Sequence, residues 1–492
     1  MSYSLRQAVA NGMFWLLVQS VGSRIVSFGC QLLLAKMLSP EIFGVVGVAL
    51  TVINIANVLA AACIDQLLQK RAKFITLWLS NALALVLLSS TAVTICMSVI
   101  FFALLHFDMR TLAFTLLFYW PSVPLTACSL ISQTVLQRDF RFRFLSSYNF
   151  VEALLLQALT IIMVLCGLET YSFALAASAV ALLRLVIFWY QSPLSSRSPL
   201  RPSGVFRLMR AGLAAIGTRL SSTAVEYGDY AVLSLMADVR TVGLYFFAFR
   251  LSTQALRTLA INLVSVLLPA LVRITGDPLR QVEAALTASE AVAFIVMPIC
   301  FLQVALAAPL LNLIFDPRWS ETAIYIQILS AGLPFDALAW PAGALLTAQG
   351  RYRLGFVLSL VWAIVFFVLL ACGAALDGAR GVAISVSLYY VTLGIGMIVV
   401  VYRSPSIGLG RILHIVALPF VCSSSAVSLS VLAGDQLAIG SGGKILLVPL
   451  LSTVLYYILV KMFHPKILAP LESRVGTLLQ ANFPFQRDRT TR

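Results

Sequence analysis

Charge is scarce in this chain. Only 11% of its 492 residues are Asp, Glu, Lys or Arg, against about 25% in an average soluble protein. Acids are scarcer still: 19 Asp+Glu stand against 34 Lys+Arg, a formal net charge of +15. Long polar stretches are lacking too, the longest being 191–210 and the segment after His464. These shortages exclude a cytosolic globular enzyme and a disordered chain, because neither can leave so few polar groups to face water. Histidine is almost missing. His106, His414 and His464 sit at the edges of apolar segments, and no cluster is evident among them. The eight cysteines lie singly on different apolar segments, which excludes a disulfide scaffold and offers no metal spacing. No G-x-S-x-G or H-E-x-x-H string occurs. Gly440-Ser441-Gly442-Gly443-Lys444 resembles a phosphate loop only superficially, since Ala438 stands where the first glycine belongs and Ile445 follows the lysine. No ATP-binding module is evident, so work must draw on an ion gradient, the membrane potential or consumption of the substrate.

What is present is apolar surface: 60% of the residues are hydrophobic. A membrane helix needs roughly 20 mostly apolar residues. About fourteen such runs can be read, near 13–35, 43–64, 76–105, 112–135, 145–166, 171–190, 211–236, 242–272, 285–308, 321–345, 354–374, 381–402, 412–432 and 445–463. The first run follows only Arg6, has no small-residue cleavage site and is too long for a signal h-region, so it is expected to remain as an anchor.

Loop charge supports the count. With the N-terminus in the cytoplasm, the inside loops carry clusters: Lys70, Arg71 and Lys73; Arg138, Arg141 and Arg143; Arg197, Arg201, Arg207 and Arg210; Arg273 and Arg280; Arg351 and Arg353; Arg403 and Arg411. The outside loops carry lone cations: Lys36, Arg110, Arg240, Arg318, Arg380 and Lys444. This is the positive-inside pattern of a multi-pass membrane protein with both termini cytoplasmic. It also explains the basic-aromatic run Arg138 to Arg143 as an anchor to anionic lipid rather than a nucleic-acid site. The tail 464–492 reads as an amphipathic surface helix with a basic end.

The chain repeats itself. Met37-Leu38-Ser39-Pro40-Glu41-Ile42-Phe43-Gly44 is echoed by Met236-Ala237-Asp238-Val239-Arg240-Thr241-Val242-Gly243. Gln137 to Arg143 is echoed by Ala348 to Arg353. Both pairs lie about 200 residues apart with six spans between, the spacing of a parallel repeat. The expected architecture is an all-α integral membrane protein. It has a six-helix bundle (1–190), a basic linker (191–210), a second six-helix bundle (211–402), two additional spans (403–463) and the tail (464–492). Pro121 and Pro124 occupy places in span 4 similar to those of Pro334 and Pro341 in span 10, where a lost backbone donor kinks a helix.

Three motifs carry a family resemblance. Leu33-Leu34-Ala35-Lys36-Met37-Leu38-Ser39-Pro40-Glu41-Ile42-Phe43-Gly44 resembles the "LARLLxPxxFG" stretch of polysaccharide-export (Wzx-type) flippases of the multidrug/oligosaccharidyl-lipid/polysaccharide (MOP) exporter superfamily. Leu136-Gln137-Arg138-Asp139-Phe140-Arg141-Phe142 is similar to its "LQRdfrF" signature. Gly243-Leu244-Tyr245-Phe246-Phe247-Ala248-Phe249-Arg250-Leu251 is similar to "GxYxxAyRl". The resemblance implies movement of an oligosaccharide on an undecaprenyl pyrophosphate carrier from the inner to the outer leaflet. It implies no enzymatic site, and a central cavity bordered by spans 1, 2, 7 and 8. Membrane lipids, a polysaccharide polymerase and chain-length machinery are the expected partners.

Charges inside spans are the site candidates, since each costs roughly 2.5–3.5 kcal/mol at a lipid-facing helix centre. Arg24, Arg219, Arg250 and Arg257 fall in spans 1, 7 and 8 and suit a pyrophosphate. Arg219 reads equally as an ion-pair partner of Glu226 or Asp229. Arg184, near the inside end of span 6, is expected to snorkel to the cytoplasm. Glu226 and Asp229, three residues apart, are the first choice for coupling H⁺ or Na⁺. Asn54 and Asn57 share a face of span 2, as cavity lining or as interhelical hydrogen-bonders. No cofactor or metal is implied. The competing functions are a cation-coupled drug antiporter of the same superfamily and a membrane polysaccharide polymerase. The short outside loops offer the latter little chemistry.

Overall fold

In the computed structural model the described residues are 22–23, 26–70, 75–139, 141–192, 199–274, 276–403, 408–437 and 440–465. The tail 466–492 and Arg24 lie outside them. Among the described residues there are helices and no strand, as a bilayer demands of a chain that must satisfy its backbone within each segment. The helices are α1 (Val26–Met37), α2 (Pro40–Ala61), α3 (Ile64–Lys70), α4 (Ile75–His106), α5 (Arg110–Tyr119), α6 (Ser122–Arg138), α7 (Phe142–Leu165) and α8 (Tyr171–Gln191). They continue with α9 (Pro202–Met236), α10 (Val239–Arg273), α11 (Pro278–Ile314), α12 (Thr322–Ala348), α13 (Tyr352–Tyr402), α14 (Leu409–Gln436) and α15 (Ser441–Phe463).

Ten described helical stretches are long and apolar enough to cross a membrane. One of them, α13, runs 51 residues and is two of the expected spans joined at Asp377 and Gly378, which leave helical geometry. Gly378 takes φ +53, where an L side chain is strained. The two arms then close on each other so tightly that a Cβ on Gly373 would collide with the Gly381 carbonyl. The two long helices outside the ten, α9 and α10, carry Arg219, Glu226, Asp229, Arg250 and Arg257. Span 4 is interrupted at Trp120–Pro121, between α5 and α6, while Pro334 and Pro341 lie inside a continuous α12.

The chain packs as two units. The first takes residues 1–266, 315–329 and 350–389, and the second 267–314, 330–349 and 390–492. The units are interleaved along the chain, and within the first α9 packs on α2 and α4.

In the first unit the repeated turns meet. A Cβ added to Gly243 would collide with the Pro40 carbonyl and lie 2.8 Å from Gly44 N, and one on Gly44 would strike the Val239 carbonyl. Small residues let backbones approach where lipid offers no hydrophobic drive. Next to this crossing Trp319 is fully buried against Phe43 and Phe247. Its indole N–H donates to the Ala35 carbonyl at 3.0 Å.

In the second unit α14 and α15 pack on each other and on α11. Being consecutive and antiparallel, they bring the start of α14 to the end of α15. The His414 and His464 rings therefore lie 6.0 Å apart, and His464 Nε2 is 3.4 Å from Glu290 Oε1. Linear distance hid this pair, which helix packing makes; among the described residues no group of three His, Cys, Asp or Glu able to hold a metal accompanies it.

Candidate functional site

Span 2 breaks without glycine or proline. After α2, Ala62 and Cys63 both adopt the left-handed region, at φ 47 and φ 51. Each such residue costs roughly 1–2 kcal/mol, and strain of this kind persists only where the surroundings over-determine it. One released carbonyl is satisfied, since Ser89 Oγ donates to Ala60 O at 2.6 Å. α3 then resumes with Asp65 in its first turn.

Around this break lies a cavity of about 330 Å³. α2 contributes Asn54 and Asn57, α3 Asp65, α6 Thr126 and Leu130, α8 Arg184, and α9 Arg219, Thr223, Glu226 and Tyr227. Both arginines of the lining are ion-paired, Arg219 to Asp65 in the lining and Arg184 to Glu152 behind it. Arg219 Nη1 lies 3.2 Å from Asp65 Oδ2, with the arginine side chain 50% exposed. Arg184 Nη1 lies 3.3 Å from Glu152 Oε1, both side chains 19% exposed, and its Nη2 donates to Gln133 Oε1 at 2.6 Å. The Arg184 guanidinium also sits over the Phe188 ring. Three buried polar atoms of this lining have no hydrogen-bond partner: Asn57 Oδ1, Asp65 Oδ1 and Arg184 Nε.

The cavity brings together Asn54, Asn57, Arg219 and Glu226 of the sequence candidates. Asp229 does not join them. It is buried and accepts from the Tyr245 hydroxyl at 2.7 Å and the Tyr230 N–H at 2.9 Å. Arg250 lies elsewhere in the same unit, over the Phe246 ring. With the Gln31 amide turned to present its oxygen, Arg250 Nε and Nη2 donate to it at 3.2 and 3.1 Å. Arg257 is on α10, and its side chain, like all of Arg24, lies outside what is described.

Two readings are corrected. Arg184 does not snorkel to the cytoplasm, because a carboxylate and an amide hold it at the cavity wall. The carboxylate on Arg219 comes from Asp65, 154 residues away, whereas the sequence pointed to acids on its own helix. Gln133 was missed, and Glu152 and Asp65 were noted only as acids in or near spans able to carry a coupling proton or help bind Na⁺, not as partners of these arginines. Glu152 and Asp65 carried the signal of a rare acid near a span, but nothing linear pairs either with its arginine.

Apolar helices of membrane-spanning length around a polar cavity define a multi-pass membrane protein with a transporter fold. Residues 33–324 match the family described as Polysaccharide biosynthesis protein, and the chain belongs to that family. It is similar to the succinoglycan biosynthesis transport protein ExoT of Rhizobium meliloti, 22% identical over 326 residues. That match spans 64% of either chain's length. Among solved structures its fold is similar to the lipid II flippase MurJ in an inward closed conformation. The TM-score is 0.74 at 14% identity, covering 92% of this chain and 99% of that one. An inward-facing multidrug resistance MATE family transporter of the MOP superfamily matches with a TM-score of 0.56 at 14% identity, covering 82% and 94%.

Proposed function

We propose that the protein carries a polyprenyl-pyrophosphate-linked oligosaccharide from the inner to the outer leaflet of the bacterial inner membrane, by alternating access and with both termini in the cytoplasm. The observation that supports this best is a polar, charged cavity among membrane-spanning helices in a member of a polysaccharide biosynthesis family. A bilayer tolerates such groups only where they face water, each other or cargo. Arg24, Arg250 and Arg257 hold the pyrophosphate, for which guanidinium is suited by its fork geometry and permanent charge. Arg219 serves the cavity it shares with Asp65. The isoprenoid tail stays in lipid, since burying its methylenes there is favourable at about 0.8 kcal/mol each. Glu226 and Asp229 carry the coupling H⁺ or Na⁺, and the polymerase and chain-length machinery take the product.

The test is the lipid pool of a strain lacking the protein. Carrier-linked repeat units should accumulate in the cytoplasmic leaflet. Normal turnover of those units, with altered toxin sensitivity instead, would replace this reading with drug antiport. Polymerisation by the purified protein would replace it with the polymerase.

A further inference from the structure

The first unit holds a second cavity, of about 430 Å³, toward the opposite end of α2. It is built from the N-terminal ends of α2, α5 and α10, the C-terminal ends of α4 and α9, and the α4–α5 and α9–α10 turns. Loop charge puts this side of the chain outside. Val45, Val48 and Val52 follow one another at helical spacing on one face of α2, and Ile100, Leu104 and Leu235 add to the apolar wall. The valine stripe runs about 10 Å along the helix, which gives the cavity depth for a hydrocarbon chain. It also opens to the surface, since Leu235 is 86% exposed and Ile100 and Met109 are exposed beside it. An apolar opening of this kind calls for something to cover it.

The mouth carries charge of both signs. Asp108 and Arg110 belong to the lining. Asp108 takes the left-handed region at φ 57, and its carboxylate accepts from Arg110 Nε at 3.0 Å. Both side chains are more than three-quarters exposed. An exposed pair is weakly held, so each charge can exchange its partner for one that arrives with a chain. That sorts the candidates. An anionic phospholipid or a polyprenyl pyrophosphate meets Arg110 but sets its charge against Asp108. A zwitterionic phospholipid meets both. Of the zwitterionic headgroups, quaternary choline has no N–H to give, whereas a primary ammonium brings three donors, as lysine does. Charge-assisted hydrogen bonds from ammonium to carboxylate and from guanidinium to phosphate are the strong ones.

We propose that this cavity is a binding site for a phospholipid with a phosphoethanolamine headgroup. One acyl chain lies along Val45, Val48 and Val52, the phosphate meets Arg110 and the ammonium meets Asp108. The lipid touches the α4–α5 and α9–α10 turns together and so holds one against the other. The site asks nothing of the cargo, and it stands whichever molecule the protein transports.

Native mass spectrometry of the delipidated full-length protein in detergent tests this. The probes are phosphatidylethanolamine, phosphatidylcholine and phosphatidylglycerol with identical palmitoyl and oleoyl chains, and undecaprenyl pyrophosphate. The one-lipid complex should be at least threefold more abundant with phosphatidylethanolamine than with any other probe. Asp108→Asn should erase the difference between ethanolamine and choline lipids. Asparagine tolerates the left-handed region as aspartate does, so this variant keeps the turn. Arg110→Gln should weaken all three phospholipids. Val48→Trp, which fills the slot, should lower phosphatidylethanolamine retention at least threefold. All variants are compared with the parent for monodisperse elution and melting temperature, and the comparison of lipids on the parent needs no variant. Equal retention of the phospholipids would overturn the site, as would a preference for phosphatidylglycerol or for undecaprenyl pyrophosphate. So would an ethanolamine preference that survives Asp108→Asn, or retention unchanged by Arg110→Gln or Val48→Trp.

Discussion

Cutting Arg184 back to leucine strands Glu152. The pair is closed at 3.3 Å, and each side chain keeps only 19% of its exposure, so water cannot replace the lost guanidinium fully. Removing one partner of a buried pair costs about 3–5 kcal/mol, and the residual exposure favours the lower end. Gln133 Oε1 also loses its donor, worth about 1 kcal/mol. Arg184→Leu should therefore destabilise the protein by about 3–4 kcal/mol. Adding Glu152→Leu should return most of that loss, because a buried pair replaced by apolar side chains of similar volume is close to neutral. Arg219 makes the contrast. Its pair with Asp65 has a similar length, 3.2 Å, but the arginine side chain is 50% exposed. Exposed pairs contribute about 0–1 kcal/mol, so Arg219→Leu should barely move stability while it impairs export. SDS titration in mixed micelles would measure all three variants, alongside carrier-linked oligosaccharide levels in cells matched for protein abundance. Equal losses for Arg184→Leu and Arg219→Leu, or a double variant no better than Arg184→Leu, would refute the argument that burial rather than pair length sets the cost.

Gly243→Val should abolish stable expression, since no Cβ fits between the Pro40 carbonyl and Gly44 N. A variant that purifies with normal yield and melting would refute the close crossing of α2 and α10. Trp319→Ala should cost about 3–5 kcal/mol as a large buried aromatic is lost, and Trp319→Phe much less, read as detergent-resistant melting. Asp238, before α10, accepts from the Thr241 hydroxyl at 2.6 Å and the Thr241 N–H at 3.2 Å. The Thr241 hydroxyl above all, then the backbone N–H groups, hold its carboxyl below the usual range. A depressed carboxylate contributes stability above its unfolded value of about 3.9 and loses it as pH falls through the folded value. Asp238→Ala should thus cost about 0.5–1 kcal/mol near neutral pH, a penalty that shrinks as acid takes the carboxyl through its folded value. A penalty that persists in acid would show that the carboxylate is not the cause.

The spans were legible because membrane insertion is decided locally. A run of apolar residues lowers its own free energy in lipid whatever its neighbours do. Each of the expected runs from 43–64 onward corresponds to helix, including the two that α13 joins. The repeat was legible at Gly44 and Gly243 because backbone contact admits only one residue type. The break at Ala62–Cys63 was not, since its strain is held by surroundings and no glycine or proline announces it. Arg219 was picked out as a costly charge, yet its carboxylate partner was misjudged because helix spacing ranks only neighbours on the same helix.

Composition and apolar runs by themselves determined an all-helical membrane chain, and its motifs pointed to polysaccharide export. Only the tertiary structure decided which charges meet. It set Arg184 on Glu152, Arg219 on Asp65, Asp229 on Tyr245 and His464 on Glu290. The physical reason is range. Transfer into lipid is summed residue by residue along the chain, whereas an ion pair forms only within a few ångströms, and helix packing alone determines who is that close.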